Sequence, residues 1–263
     1  MLLSDLPRPA IIAHRGASAY APENTLASFE LALRQGADAV ELDAKLTQDG
    51  HIVVIHDQSV DRTTMHNGWV RDLSLAQLRK MDAGSHFDIA FAGETIPTLD
   101  EVFKAVGKLT FTNVELTNLL SPLDNLPQKT AALVKRHKIL PRVWFSSFNP
   151  VALLRIHRLL PESPLGLLAW PGAAGWWARS PLGRLVPHHS LHIASKDVKP
   201  RLIKRVHRDQ RKIFVYTVNL ENDMLRLFEM GVDGIFTDDP LLARRVLNGV
   251  SPKIRDSKES RTN

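Results

Sequence analysis

Three apolar runs within the first 57 residues each end on ionisable side chains. Residues 11–13 lead into His14-Arg15-Gly16, the run from Ala39 carries Glu41 and Asp43, and residues 52–55 end in His56-Asp57. Costly polar groups at successive strand ends point to a site rather than to a need of folding. Between the first two runs, Leu26, Phe29 and Leu33 recur at helical spacing over residues 25–35. Asn24 or Thr25 is the expected N-cap and Gly36 the stop. Strand, helix, strand is the pattern of a parallel βαβ unit.

Asp49-Gly50 interrupts that pattern, and Asp-Gly between two β-like runs predicts a hairpin. Residues 52–55 should therefore return antiparallel to residues 40–46. Residues 57–96 are turn-rich, with one helical segment at 74–81, and read as an insertion before a helix at 99–106 capped by Thr98. Alternation then resumes. Strands are expected over 111–116, 143–146, 165–168, 191–194, 213–218 and 234–237, and helices over 128–137, 150–160, 200–209, 222–229 and 240–247. A Trp- and Gly-rich loop, residues 170–187, fills the remaining crossover.

Without the hairpin return there are eight strands, starting near residues 11, 39, 111, 143, 165, 191, 213 and 234. The expected fold is α/β, a TIM (β/α)8 barrel with a small insertion after the second strand, about residues 47–97. It should be a single domain over residues 1–250, followed by a polar, disordered tail over 251–263. A doubly wound sheet would usually carry a Gly-rich phosphate loop, and none is present.

The net charge of +6 favours an anionic partner. The basic residues are dispersed, partly into the C-terminal end, so nucleic acid is not expected. The chain has no cysteine, which excludes disulfides and thiolate metal sites. The N-terminus lacks a signal-peptide pattern and no apolar run reaches transmembrane length, so the expected location is the cytoplasm.

Working residues of a TIM barrel sit at the C-terminal strand ends. There the chain places His14 and Arg15, Glu41 and Asp43, Glu115, Ser146-Ser147-Phe148, Thr217-x-Asn219 and Thr237-Asp238-Asp239. A two-residue turn at Asp49-Gly50 would set Gln48 opposite His51 and hence Asp43 opposite His56, with Glu41 on the same face. A single carboxylate there would more simply pair with Arg15 or Lys45. Three on adjacent strands suit a hard divalent cation, Mg²⁺ or Ca²⁺. His14 and His56 remain as proton carriers for cleaving a phosphodiester, with Arg15 to clamp phosphate.

The ordered set HRG, PENTLASF, ELD, DG…HD, VEL, SSF, YTVN and GVDGIFTDDP, from about Ala13 to Pro240, resembles the glycerophosphodiester phosphodiesterases. The resemblance implies hydrolysis of a glycerophosphodiester to glycerol 3-phosphate and an alcohol, with one divalent metal ion on Glu41, Asp43 and Glu115. It implies His14 and His56 as acid and base and Arg15 at the phosphate. It also implies attack by the glycerol hydroxyl on phosphorus, followed by opening of the cyclic phosphate by water. Two departures stand out. Thr117 occupies a position where the family often has lysine, with Lys196 a candidate replacement, and Tyr216 stands where tryptophan is common. Phe148, Tyr216, Asn219, Trp176, Trp177 and Lys196 are the candidate pocket residues. The tryptophans of the 170–187 loop would either contact an acyl chain, giving cleavage of lysophospholipids, or pack against the barrel. A non-catalytic phosphate-ester binding protein is the remaining alternative.

Overall fold

The structure is a computed structural model that describes residues 3–249. Its elements run β1 (Ala10–Ala13), α1 (Leu26–Arg34), β2 (Ala39–Leu46), β3 (Ile52–Val54), α2 (Leu75–Leu78), α3 (Leu99–Ala105), β4 (Phe111–Leu116), α4 (Leu126–His137) and β5 (Val143–Ser147). They continue α5 (Pro150–Leu159), β6 (Leu165–Ala169), α6 (Trp176–Arg179), β7 (Ser190–Ala194), α7 (Pro200–Arg208), β8 (Lys212–Tyr216), α8 (Glu221–Glu229), β9 (Gly234–Thr237) and α9 (Pro240–Leu247). Eight parallel strands close on themselves through the β1–β2 and β1–β9 pairings, and β3 hangs antiparallel on β2. This is the expected TIM barrel with an extra strand. The polar tail expected at residues 251–263 lies outside the described residues.

Period-two alternation divides each strand between two cores. Ile11, Ala13, Val143, Phe145, Ile213, Val215 and Ile235 face outward into the large shell beneath the helices. Their neighbours Ile12, Trp144, Phe214 and Phe236 face inward and fill the barrel floor. Further along the same inward faces the residues become polar, which is why the site lies at the C-terminal mouth.

Thr25 caps α1 in a reciprocal box with Ser28. Thr98 does the same for α3 with Glu101. Asn24 is not the cap; its backbone is left-handed (φ +58°), and its side chain turns to the site instead.

The hairpin register differs from expectation by one residue. Leu46 pairs with Ile52, Lys45 with Val53 and Ala44 with Val54. Asp43 therefore opposes Ile55, whose N–H donates to its carbonyl at 3.0 Å, and not His56. The cause is a three-residue loop, 48–50, closed by Thr47 and His51, with Gly50 left-handed at φ +76°. The chain leaves the ladder after Ile55, so His56 reaches the mouth from a loop. The residues that follow are not structureless: Val60, Val70, Leu78, Met81 and Ile96 build a small core against Val53 and Ile55.

Candidate active site

A cavity of about 650 Å³ opens at the mouth, and it brings together His14, Arg15, Glu41, Asp43, His56 and Glu115. Asp43 on β2 is the register partner of Glu115 on β4, and Glu41 is two residues earlier on the same face. Carboxylate oxygens of the three lie within 4.8 Å of one another. Glu41 and Asp43 are almost fully buried. Burial first, then repulsion by Asp43 and Glu115, pushes Glu41 well above the usual carboxylate range. Burial and the Asp43 charge push Glu115 up to about 8. Burial acts upward on Asp43 too, but nearby His56 and Arg15 and the Asn24 amide outweigh it and hold it low. These three groups could hold a hard cation through oxygen.

Arg15 is left-handed (φ +58°), which aims its N–H at Glu41 Oε2, 2.9 Å away. Its guanidinium donates to Glu23 at 3.0 Å and its Nε lies 3.6 Å from Asp43. The two histidines are built alike. His14 Nδ1 sits 2.7 Å from Asp238 Oδ1, and His56 Nδ1 sits 2.7 Å from Asp57 Oδ1. Each ring is thus oriented through Nδ1, which leaves Nε2 for a ligand. Asp238 also accepts from Ser18 and Asn219. Asp57 accepts from Arg62, which also grips Glu23 with two bonds of 2.7 Å. Burial works against Asp57, but its bonds to Arg62 and His56 bring it to about 2.

Asp57, Asp238, Glu23 and Arg62 have no assigned role in the sequence, and Asn24 is expected there only as a helix cap. The carboxylates at 57 and 238 stand at strand ends and were legible as polar tips. Arg62 and Glu23 meet only through the fold.

The pocket residues divide. Phe148 stacks on Trp170 with ring centroids 4.2 Å apart and meets Tyr216 edge-on at 6.2 Å. With Leu119 and Leu120 they form an apolar wall of the cavity. Asn219 lines a neighbouring polar hollow with His14, Arg15 and Asp238. Trp176, Trp177 and Lys196 do not line the cavity. Trp177 packs onto the barrel shell, Trp176 is 64% exposed on the outside, and Lys196 is exposed on the turn after β7. The 170–187 segment descends the barrel wall with only the short α6 as its α-helix, and only its first residues, Trp170 and Pro171, reach the mouth. The cation beside Thr117 is Lys45, whose Nζ donates to the Thr117 hydroxyl at 2.8 Å. His192 lies fully buried at the cavity floor beside Phe214 and Phe236, and burial lowers its pKa to about 3.

A model of the Glycerophosphoryl diester phosphodiesterase family matches residues 14–242. The glycerophosphodiester phosphodiesterase of Caldanaerobacter subterraneus subsp. tengcongensis is 41% identical over 231 residues, 88% of this chain and 94% of that protein. That of Bacillus subtilis is 34% identical over 253 residues, 90% of this chain and 86% of that protein. Among solved structures, an Oleispira antarctica phosphodiesterase in complex with the product sn-glycerol-3-phosphate superposes with a TM-score of 0.83 at 33% identity, covering 93% of this chain and 98% of that one.

Proposed function

From the premise that this chain belongs to the glycerophosphoryl diester phosphodiesterase family and is a glycerophosphodiester phosphodiesterase, we propose how its own residues act. A small anionic glycerophosphodiester is cleaved to glycerol 3-phosphate and an alcohol. His14 and His56 are its acid and base, Arg15 holds phosphate, and Glu41, Asp43 and Glu115 hold one divalent metal ion, Mg²⁺ or Ca²⁺. The observation that carries this reading is that two carboxylate-oriented imidazoles open on the same cavity as three crowded carboxylates, two of them buried and one half-buried. Three carboxylates so close repel one another unless a cation stands among them.

In the two-step scheme that the resemblance implies, one imidazole takes the proton from the glycerol hydroxyl as its oxygen attacks phosphorus. The bond from phosphorus to the alcohol oxygen breaks, and the other imidazolium donates a proton to that oxygen. Water then opens the cyclic phosphate. Asp57 and Asp238 keep the two rings in the tautomer that presents Nε2. A bound metal ion supplies positive charge to the reacting oxygens.

The direct test couples glycerol 3-phosphate release from glycerophosphocholine to its dehydrogenase. His14→Ala and His56→Ala should each lower turnover about 1,000-fold with melting curves unchanged. A wild-type rate in either variant sinks the acid–base assignment, and release that persists in EDTA sinks the metal.

The apolar wall of Leu119, Leu120, Phe148 and Trp170 favours a second reading, in which a lysophospholipid places its acyl chain there. Comparing lysophosphatidylcholine with glycerophosphocholine tests it, because Phe148→Ala should then weaken only the lipid reaction. No helix among the described residues is long and apolar enough to cross a membrane. A cysteine-free chain suits a reducing cytoplasm, which is where we place the reaction.

A further inference from the structure

We infer that Lys45 is a substrate-phosphate-binding residue of this enzyme, its ammonium contacting a non-bridging phosphate oxygen on the mouthward side of the carboxylates. The inference rests on the diester-cleaving reading above. Strand alternation puts Glu41, Asp43 and Lys45 in one inward row on β2, with Lys45 nearest the mouth. The side chain is 5% exposed, yet it lines the cavity. A lysine so placed on the outer face would have been excluded by the apolar shell formed by Val40, Leu42 and Ala44.

Its position is held by the neighbouring strand. Asp43 pairs with Glu115 across β2 and β4, so Lys45 and Thr117 stand one rung further out. Lys45 Nζ donates to Thr117 Oγ1 at 2.8 Å, and that hydroxyl gives its own proton to the Ala44 carbonyl at 2.6 Å. Thr117 therefore acts as a fixed acceptor that aims the ammonium. An ammonium has three N–H donors, and this contact occupies one. The other cavity cation is differently engaged: the Arg15 guanidinium donates to Glu23 and faces Asp43. No ion pair within 4.0 Å involves Lys45 among the described residues. The nearby charges of Asp43, Glu115 and Asp57 favour this ammonium but bond it through no contact within 4.0 Å, and it stands where an anion would approach the three carboxylates. A lysine that merely balanced those carboxylates would be expected to bond one of them. This one is tethered to a neutral hydroxyl instead.

The test uses the full chain with Mg²⁺ present, and compares Lys45→Met with the double variant Lys45→Thr/Thr117→Lys. Lys45→Met should lower kcat/KM for glycerophosphocholine about 100-fold. Inhibition by glycerol 3-phosphate should weaken about tenfold or more in the same variant, while any inhibition by glycerol stays as in wild type. The double variant should recover most of both losses, because a lysine at 117, just past the end of β4, enters the same space. It also serves as the readout if Lys45→Met does not fold. Overturning results are a kcat/KM within about threefold of wild type in Lys45→Met, or unchanged inhibition by glycerol 3-phosphate. A double variant as inactive as Lys45→Met would overturn it equally. If wild type cleaves no glycerophosphodiester, the underlying reading fails, and calorimetric binding of glycerol 3-phosphate to wild type and Lys45→Met still decides the role of Lys45.

Discussion

The two ends of the barrel handle buried carboxylates in opposite ways. At the floor, Asp233 is almost wholly buried, and its Oδ2 pairs with His207 at 2.7 Å and accepts from the Ile213 N–H. Its Oδ1 lies 3.2 Å from both Arg8 and Lys212. Asp38 nearby accepts the Ile11 N–H and pairs with Arg244. One carboxylate there meets two cations and an imidazole. At the mouth the ratio is reversed: Glu41, Asp43 and Glu115 share Arg15 and a lysine that is tethered elsewhere. Charge that is matched locally stabilises a fold. Charge left in excess at one end is a site waiting for a cation or a reaction.

That contrast can be broken most severely at the mouth. Glu41→Gln should cost about 1,000-fold in kcat while raising the melting temperature measured in EDTA, since it removes repulsion. A stable variant with wild-type turnover would refute the division. Asp233→Ala should do the converse. It strands the Arg8 and Lys212 cations, the His207 ring and the Ile213 N–H, and should destabilise by about 3 kcal/mol with turnover per folded molecule unchanged. Denaturant melts and active-site-normalised rates check both halves.

The pH dependence sharpens the contrast further. Glu115 is raised from an ordinary 4.5 to about 8, so the folded, metal-free protein binds that proton more tightly than the unfolded chain does. Its contribution to stability is fully present below about pH 4.5 and is lost as pH rises through about 8. Glu41 acts in the same direction. Melting curves in EDTA should therefore fall across that interval, and Glu115→Gln should flatten the slope; an unchanged slope would contradict the assignment. The smallest expected effect is in the hairpin. Gly50 is left-handed at φ +76°, and a Cβ there would come within 2.6 Å of the flexible end of Lys129. Gly50→Ala should cost about 1 kcal/mol in a thermal melt and leave KM within error.

Much of this is legible in the sequence itself. Periodicity and turn chemistry located eight strands and their helices, because apolar alternation and capping residues act locally. The polar tips at His14, Glu41, Asp43, His56 and Glu115 identified the mouth, because ionisable residues gather at the ends of several successive strands there. The one-residue slip in the hairpin shows where such counting stops. Asp49-Gly50 is compatible with a two- or a three-residue loop, and the choice depends on contacts far along the chain. Asp49 accepts from the Leu75 N–H, and the far edge of β3 is held where Val54 donates to the Pro97 carbonyl.

Composition and spacing by themselves determined the fold class, the oxygen-and-imidazole donor set and the pair of candidate proton carriers. Only the tertiary structure decided which groups meet across distance. It joined Asp238 to His14, 224 residues away, and Arg62 to Glu23, 39 residues away. It also chose Lys45 over Lys196 as the cation at the mouth and turned Trp176 and Trp177 out of the cavity. The physical reason is that propensity and alternation are written in neighbouring residues. Closing a barrel sets strand register and loop path through the packing of the whole chain, and those select a hydrogen-bond partner or a cavity wall.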